Sequence, residues 1–196
     1  DVIGFDINPM ATWIVQKEIE HLDVDAYLTE TTQLLNSLRY EIEHLYLTNC
    51  PHYGDKDVPV KYFLWVKTID CEACGQDIDL FPGYLIAKNT RHPKNVLVCP
   101  DCGNLNEVEN RDNPGSCQSC LTKLLLKGPA GRGKCICSNC GRENSYPRSG
   151  AGALKHRLFA IEYYNPIQKD KHKGRFFKKP DSKDLKRIAE AEKRWQ

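Results

Sequence analysis

CPDCG (residues 99–103) is one of four stretches in which two cysteines stand three positions apart, the others being CEAC at 71–74, CQSC at 117–120 and CSNC at 137–140. A fifth stretch, CPHYG at 50–54, has the leading cysteine and the closing glycine but carries Tyr53 where the second sulfur belongs. Two thiolates separated by two residues sit on one tight turn and aim at one ion, while the N–H groups of the turn soften their charge. Glycine behind the second sulfur, present as Gly75, Gly103 and Gly141, accepts the left-handed backbone that ends such a turn. Eight paired cysteines supply two four-sulfur zinc sites. A tetrahedral site filled by protein ligands leaves no position for water or substrate, so these sites hold a fold together rather than catalyse.

Spacing alone leaves the combination of pairs open. Neighbour pairing joins Cys71 and Cys74 to Cys99 and Cys102, and Cys117 and Cys120 to Cys137 and Cys140. The alternative brings Cys50 to Cys71 and Cys74 across the YFLWVK segment, as in a zinc ribbon, and leaves three downstream pairs to share. His52 is a candidate replacement ligand, weighed against an exposed histidine on a metal-free turn. Cys50 reads as a fringe ligand or a buried thiol, and Cys135 as a cysteine outside the sites.

The chain of 196 residues is 40% hydrophobic and 28% charged, the balance of a soluble, globular protein with room for one or two domains. No apolar run approaches the roughly 18 residues of a membrane span, and the first residues do not resemble a secretory signal, so a cytoplasmic setting without membrane contact is expected. Disulfides in a secreted chain scatter their cysteines, whereas eight of these ten are tightly paired. The net charge of +2 conceals a gradient: residues 1–49 carry two basic side chains against nine carboxylates, and residues 155–196 carry thirteen against six. Such a basic segment suits phosphate or is simply a solvated surface.

The pattern predicts an α+β chain of zinc-ribbon β-hairpins with flanking helices. VIGFDI (2–7) reads as a buried strand, and Asn8-Pro9 as the capped start of a helix to about His21 that turns Trp13, Ile14 and Ile19 to a core. Asp25 is the expected cap of a second helix, with Leu28, Leu35, Leu38, Ile42 and Leu45 as its packing stripe. VPVKYFLWVKTI (58–69), IDLFPGYLIAK (78–88) and RLFAIEYY (157–164) read as strands. Glycine-rich 128–133 and 149–152 read as loops, and Asp181, just after Pro180, is the expected cap of a last helix with Leu185, Ile188 and Ala189 on one side. GPAGRGKC (128–135) comes close to a phosphate-binding loop. Cys135 replaces its hydroxyl residue, however, and a zinc turn follows where a helix is needed, so a plain connection between strands is the expectation.

GFDINP (4–9) followed by ATWIV, then HLYLTNCP, YFLWVKTIDC, LFPGYLIAK, VLVCPDCG, RLFAIEYY, GRFFKKP and DLKRIAEAE, in that order, resembles the adenine-specific DNA methylases that contain a zinc ribbon. The resemblance implies an internal piece of such an enzyme: residues 1–24 as a strand-helix remnant of a doubly wound methyltransferase domain, 25–49 as a helical linker, 50–148 as the zinc-ribbon region and 149–196 as a basic closing segment with a strand and a helix. It implies that Asp6 binds the ribose hydroxyls of S-adenosylmethionine, with Ile7 and Asn8 near the adenine; a plain capping role for Asp6 is the alternative. It further implies double-stranded DNA as partner, met by Lys171, Lys173, Arg175, Lys178 and Lys179, and the remainder of the methyltransferase chain as a second partner. The family's glycine-rich cofactor loop is absent, as is its Pro-Pro-aromatic turn, for which Tyr164-Asn165-Pro166-Ile167 does not substitute. The segment alone is therefore expected to be inactive. The rival expectation is a free-standing zinc-ribbon adaptor for nucleic acid or protein.

Overall fold

The structure, a computed structural model, describes residues 3–146 and 152–195. It divides into two compact units, Asp1–Glu43 and His44–Gln196. The first holds α1 (Pro9–Ile19) and α2 (Val24–Ile42). Asn8 caps α1 as expected, its side chain accepting from the Met10 N–H, but the cap of α2 is Asp23 rather than Asp25. Residues 3–8 form no strand, because no neighbouring strand satisfies their N–H and C=O groups. Trp13, Ile14 and Ile19 are exposed, as are Leu28, Leu35 and Leu38; of the predicted stripe, Ile42 is half-buried and Leu45, already in the second unit, is buried.

The second unit is built from strands: β1 (Leu47–Thr48), β2 (Val58–Asp70), β3 (Asp77–Asp79), β4 (Leu85–Ala87), β5 (Asn95–Val98), β6 (Leu105–Val108), β7 (Ala130–Gly131), β8 (Lys134–Ile136), β9 (Glu143–Ser145), β10 (Lys155–Tyr164) and β11 (Arg175–Lys178). The closing helix is α3 (Ser182–Trp195). The long β2 pairs antiparallel with β10, and the sheet runs β1-β2-β10-β11 with β3 on the far end of β2. Residues 155–178 thus supply β10 and β11, two of the five strands of the central sheet. The expected strand 78–88 breaks into β3 and β4 at Phe81-Pro82-Gly83, since proline removes a ladder donor.

That break starts a neck. Phe81–Tyr84 runs beside Leu126–Ala130, tied by Tyr84 N–H to Leu126 O (2.9 Å), Gly128 N–H to Pro82 O (3.1 Å) and Ala130 N–H to Phe81 O (3.1 Å). A Cβ on Gly128 would lie 1.9 Å from the Phe81 carbonyl oxygen, so only glycine lets the two strands approach this closely. Everything between the two sides of the neck forms an inner module around β4-β5-β6, inserted into an outer module that contains β3 and β7-β8-β9. GPAGRGKC belongs to the outer module. Its β7-β8 hairpin turns at Arg132-Gly133, both left-handed, which is strand connection and not a phosphate loop.

The core is distributed. Val66 packs with Phe81, Tyr84, Val98 and Phe159 where the inner module meets the sheet. Tyr163 and Phe176, opposite one another in the β10-β11 register, stack with ring centroids 5.5 Å apart and are fully buried. Asp181 caps α3 by accepting from the N–H groups of Lys183 and Asp184. Asp184, itself buried, accepts from the Thr48 hydroxyl (2.6 Å) and pairs with Lys178 Nζ (2.9 Å), clamping the helix to the sheet.

Candidate metal centres

Each Cys-x-x-Cys turn is closed by the same two backbone hydrogen bonds. In the first, the Cys71 N–H donates to Gln76 O (2.8 Å) and the Gly75 N–H to Cys71 O (2.9 Å). The Cys99, Cys117 and Cys137 turns repeat the pattern, with Gly103, Leu121 and Gly141 as the closing residues. All four closing residues have φ between +64° and +72°, so Leu121 occupies a conformation that disfavours side chains.

Among the described residues, two groups of four cysteines converge: Cys71, Cys74, Cys137 and Cys140 in the outer module, and Cys99, Cys102, Cys117 and Cys120 in the inner. The sulfurs lie 3.6 Å apart for Cys71–Cys140, 3.7 Å for Cys74–Cys137, 3.5 Å for Cys99–Cys120 and 3.6 Å for Cys102–Cys117. These separations are far beyond a disulfide bond of about 2.05 Å. They are close to the edge, roughly 3.8 Å, of a tetrahedron with metal–sulfur bonds of about 2.3 Å. Four soft sulfurs in that arrangement suit zinc and can hold it. The pairing is nested, and the expected neighbour pairing is not what forms. The neck returns the chain to the outer module only after the inner one is complete, so the first knuckle meets the last.

Corresponding sulfurs of the two centres have corresponding acidities. N–H groups of Cys74 and Ala73, aided by the Asn144 and Cys140 side chains, bring the Cys71 thiol down to about 6 despite burial. Cys117 is opposed by burial, yet the N–H groups of Ser119 and Cys120 bring it to about 6 as well. Cys140 receives the Arg142 N–H, but burial and the three neighbouring thiols push it up to about 12. Cys102, served by the Asn104 N–H, is driven to about 12 by the same causes. Each centre thus contains a sulfur ready as thiolate at neutral pH, Cys71 or Cys117, and another, Cys140 or Cys102, that keeps its proton until an ion displaces it.

CPHYG folds as a fifth knuckle. The Cys50 N–H donates to Asp55 O (2.8 Å), the Gly54 N–H donates to Cys50 O (2.9 Å), and Gly54 has φ +77°. Cys50 belongs to neither sulfur group and is buried, so of its two readings the structure fits the buried thiol and not the fringe ligand. Its sulfur receives the Tyr163 hydroxyl at 3.3 Å and packs with Val58 and Phe176. Tyr53 meets Phe176 edge-on at 5.7 Å, and His52, also outside both groups, lies against the same ring at 5.6 Å. Aromatic packing holds this knuckle, whereas the other four converge in sulfur groups able to hold an ion. Cys135 is buried in the outer core, outside both groups.

The expected nucleic-acid residues separate into two kinds. Lys171 and Lys173 are exposed on the loop beyond β10, with Lys171 Nζ 5.0 Å from the Tyr53 ring centroid. Lys179 is exposed and donates to Cys102 O (2.7 Å), placing a cation beside the inner centre. Lys178, by contrast, is buried and bonded to Thr48, Asp181 and Asp184, so it is a structural cation and not a phosphate contact. Arg175 spends its guanidinium on Glu162 (2.8 Å) and Arg91 O (2.9 Å) and is likewise corrected to a structural role. In the other unit, the Asp6 carboxylate accepts from the Asn8 N–H (2.6 Å), Ile7 is exposed, and Asn8 is occupied as the α1 cap.

Two buried asparagines, Asn106 and Asn144, carry no local signal beyond their standing four residues after a second cysteine. Among the described residues no helix is long and apolar enough to cross a membrane. No known protein family, curated protein or solved structure matches the chain.

Proposed function

We propose that the chain is the zinc-braced, DNA-engaging insertion of an adenine-specific DNA methyltransferase. The remainder of that enzyme would bind S-adenosylmethionine and perform the methyl transfer. The order of segments that resembles those methylases supports the assignment, and the closed four-cysteine geometry supports a bracing role for the metal. One observation carries the DNA contact: the placement of charge. Residues 70–146, which hold both centres, balance nine carboxylates with nine basic side chains, and two loaded centres add four negative charges. Phosphate is therefore repelled from the ribbons themselves. The excess of cations lies in 155–196, and there the exposed Lys169, Lys171 and Lys173 crowd the tip beside the metal-free knuckle.

The test is binding of a fluorescent DNA duplex by the zinc-loaded chain at several salt concentrations. Dissociation constants in the range of about 1 to 100 μM, with a log–log salt slope near −3 for three phosphate contacts, are expected. Lys169→Glu, Lys171→Glu and Lys173→Glu together should abolish the slope. Absence of salt-dependent binding would overturn the DNA reading. It would leave the second reading, a zinc-ribbon adaptor for a protein, which the exposed apolar residues of α1 and α2 favour.

A further inference from the structure

Asn144 and Asn106 bridge the two knuckles of their modules in the same way. Asn144 follows Cys140 by four residues on β9; its Oδ1 accepts from the Glu72 N–H (2.9 Å), and its Nδ2 donates to Arg142 O (3.0 Å) and reaches Cys71 Sγ at 3.6 Å. Asn106 follows Cys102 by four residues on β6; its Oδ1 accepts from the Gln118 N–H (3.0 Å) and its Nδ2 donates to Asn104 O (3.0 Å). It too serves a sulfur, that of Cys117. In both cases the amide springs from one knuckle, binds the N–H just after the first cysteine of the opposite knuckle, and serves that cysteine's sulfur. Both side chains are almost wholly buried, at 1% and 2% exposure, which an amide tolerates only when its polar atoms are satisfied.

We infer that Asn144 and Asn106 are the metal-positioning residues of the outer and inner centres, each joining two knuckles before the ion arrives and donating to one thiolate afterwards. Four thiolates around a doubly charged ion leave an excess of two negative charges, and an N–H aimed at sulfur lowers that excess without occupying a coordination position. The sequence carries the device as C-x-x-C-G-x-x-N, at 99–106 and 137–144. The partner knuckles have Ile78 and Leu124 at the equivalent position, both buried, so each centre combines one amide-bearing knuckle with one aliphatic knuckle. The inference depends on the centres holding metal and is independent of any DNA contact.

The experiment follows release of zinc from the full chain to a chromophoric chelator, with the two phases assigned by Cys137→Ser and Cys99→Ser variants. Asn144→Ala should accelerate the outer phase by about 10-fold or more and leave the inner phase unchanged, and Asn106→Ala should do the reverse. Asn144→Asp separates positioning from shape. It keeps the oxygen for the Glu72 N–H but has no hydrogen to give Cys71, so it should also release faster and should shift the sulfur-to-metal charge-transfer band of the cobalt-loaded outer centre. A wild-type release rate and an unmoved band for Asn144→Asp would overturn the inference. So would acceleration of both phases by a substitution in one module, which is the mark of general loosening. Should Asn144→Ala fail to fold, the aspartate variant decides alone.

Discussion

Cys50 and Cys71 begin turns with the same backbone and have opposite fates. Sulfur partners surround Cys71, whereas the Tyr163 hydroxyl and the Phe176 ring surround Cys50. Cys50→Ala should therefore leave two zinc ions per chain by native mass spectrometry, and Cys71→Ser should leave one; loss of an ion from Cys50→Ala would return that residue to the ligands. Acidity gives a second measurement at this scale. At pH 7 Cys71 and Cys117, near 6, have already lost their protons, while Cys140 and Cys102, near 12, release theirs only to an incoming ion. As pH falls through 6, Cys71 and Cys117 regain protons that the ion must then displace. Zinc affinity should accordingly decline more steeply below pH 6 than above it, with more protons released on binding. Calorimetric titration in buffers of different ionisation enthalpy reads that number directly.

Among elements, the knuckle shows how far a local rule extends. Its closing position needs a left-handed backbone, and glycine fills it at Gly54, Gly75, Gly103 and Gly141. Leu121 holds the same conformation at φ +64° and is 78% exposed, so it suffers the strain and gains little packing. Leu121→Gly should raise stability by about 1 kcal/mol, seen as a higher thermal midpoint of the zinc-loaded chain; a lower midpoint would show that the leucine packs after all. The two asparagine clamps show the opposite limit. Their spacing is visible in the sequence, but the function of that spacing emerges only when the opposite knuckle is in place.

For the whole molecule, two kinds of support divide the second unit. The central sheet is buried around Ile161, Tyr163 and Phe176, whereas the inner core consists of Leu97, Leu124 and the cysteines themselves. Removing zinc with a strong chelator should therefore strip hydrogen-exchange protection from the turns at 71–76, 99–104, 117–122 and 137–142. The amides of β2, β10 and β11 should keep theirs, and so should the metal-free knuckle at Cys50 and Gly54. Uniform loss across the unit would show that the ions support the sheet as well.

The sequence by itself determined what lies within one turn or one strand: the four metal knuckles, the β2 and β10 strands, and the caps Asn8 and Asp181. Those features depend on spacing, side-chain alternation and local hydrogen bonds, all of which are written in adjacent residues. The tertiary structure alone decided which knuckles converge, why Cys50 joins neither group, and why Lys178 and Arg175 are withdrawn from the surface. Each of these depends on groups far apart in the chain, such as Cys71 with Cys137, Cys50 with Tyr163, and Lys178 with Thr48. The β2-β10 pairing and the Phe81–Ala130 neck bring them together, and no local pattern encodes that approach.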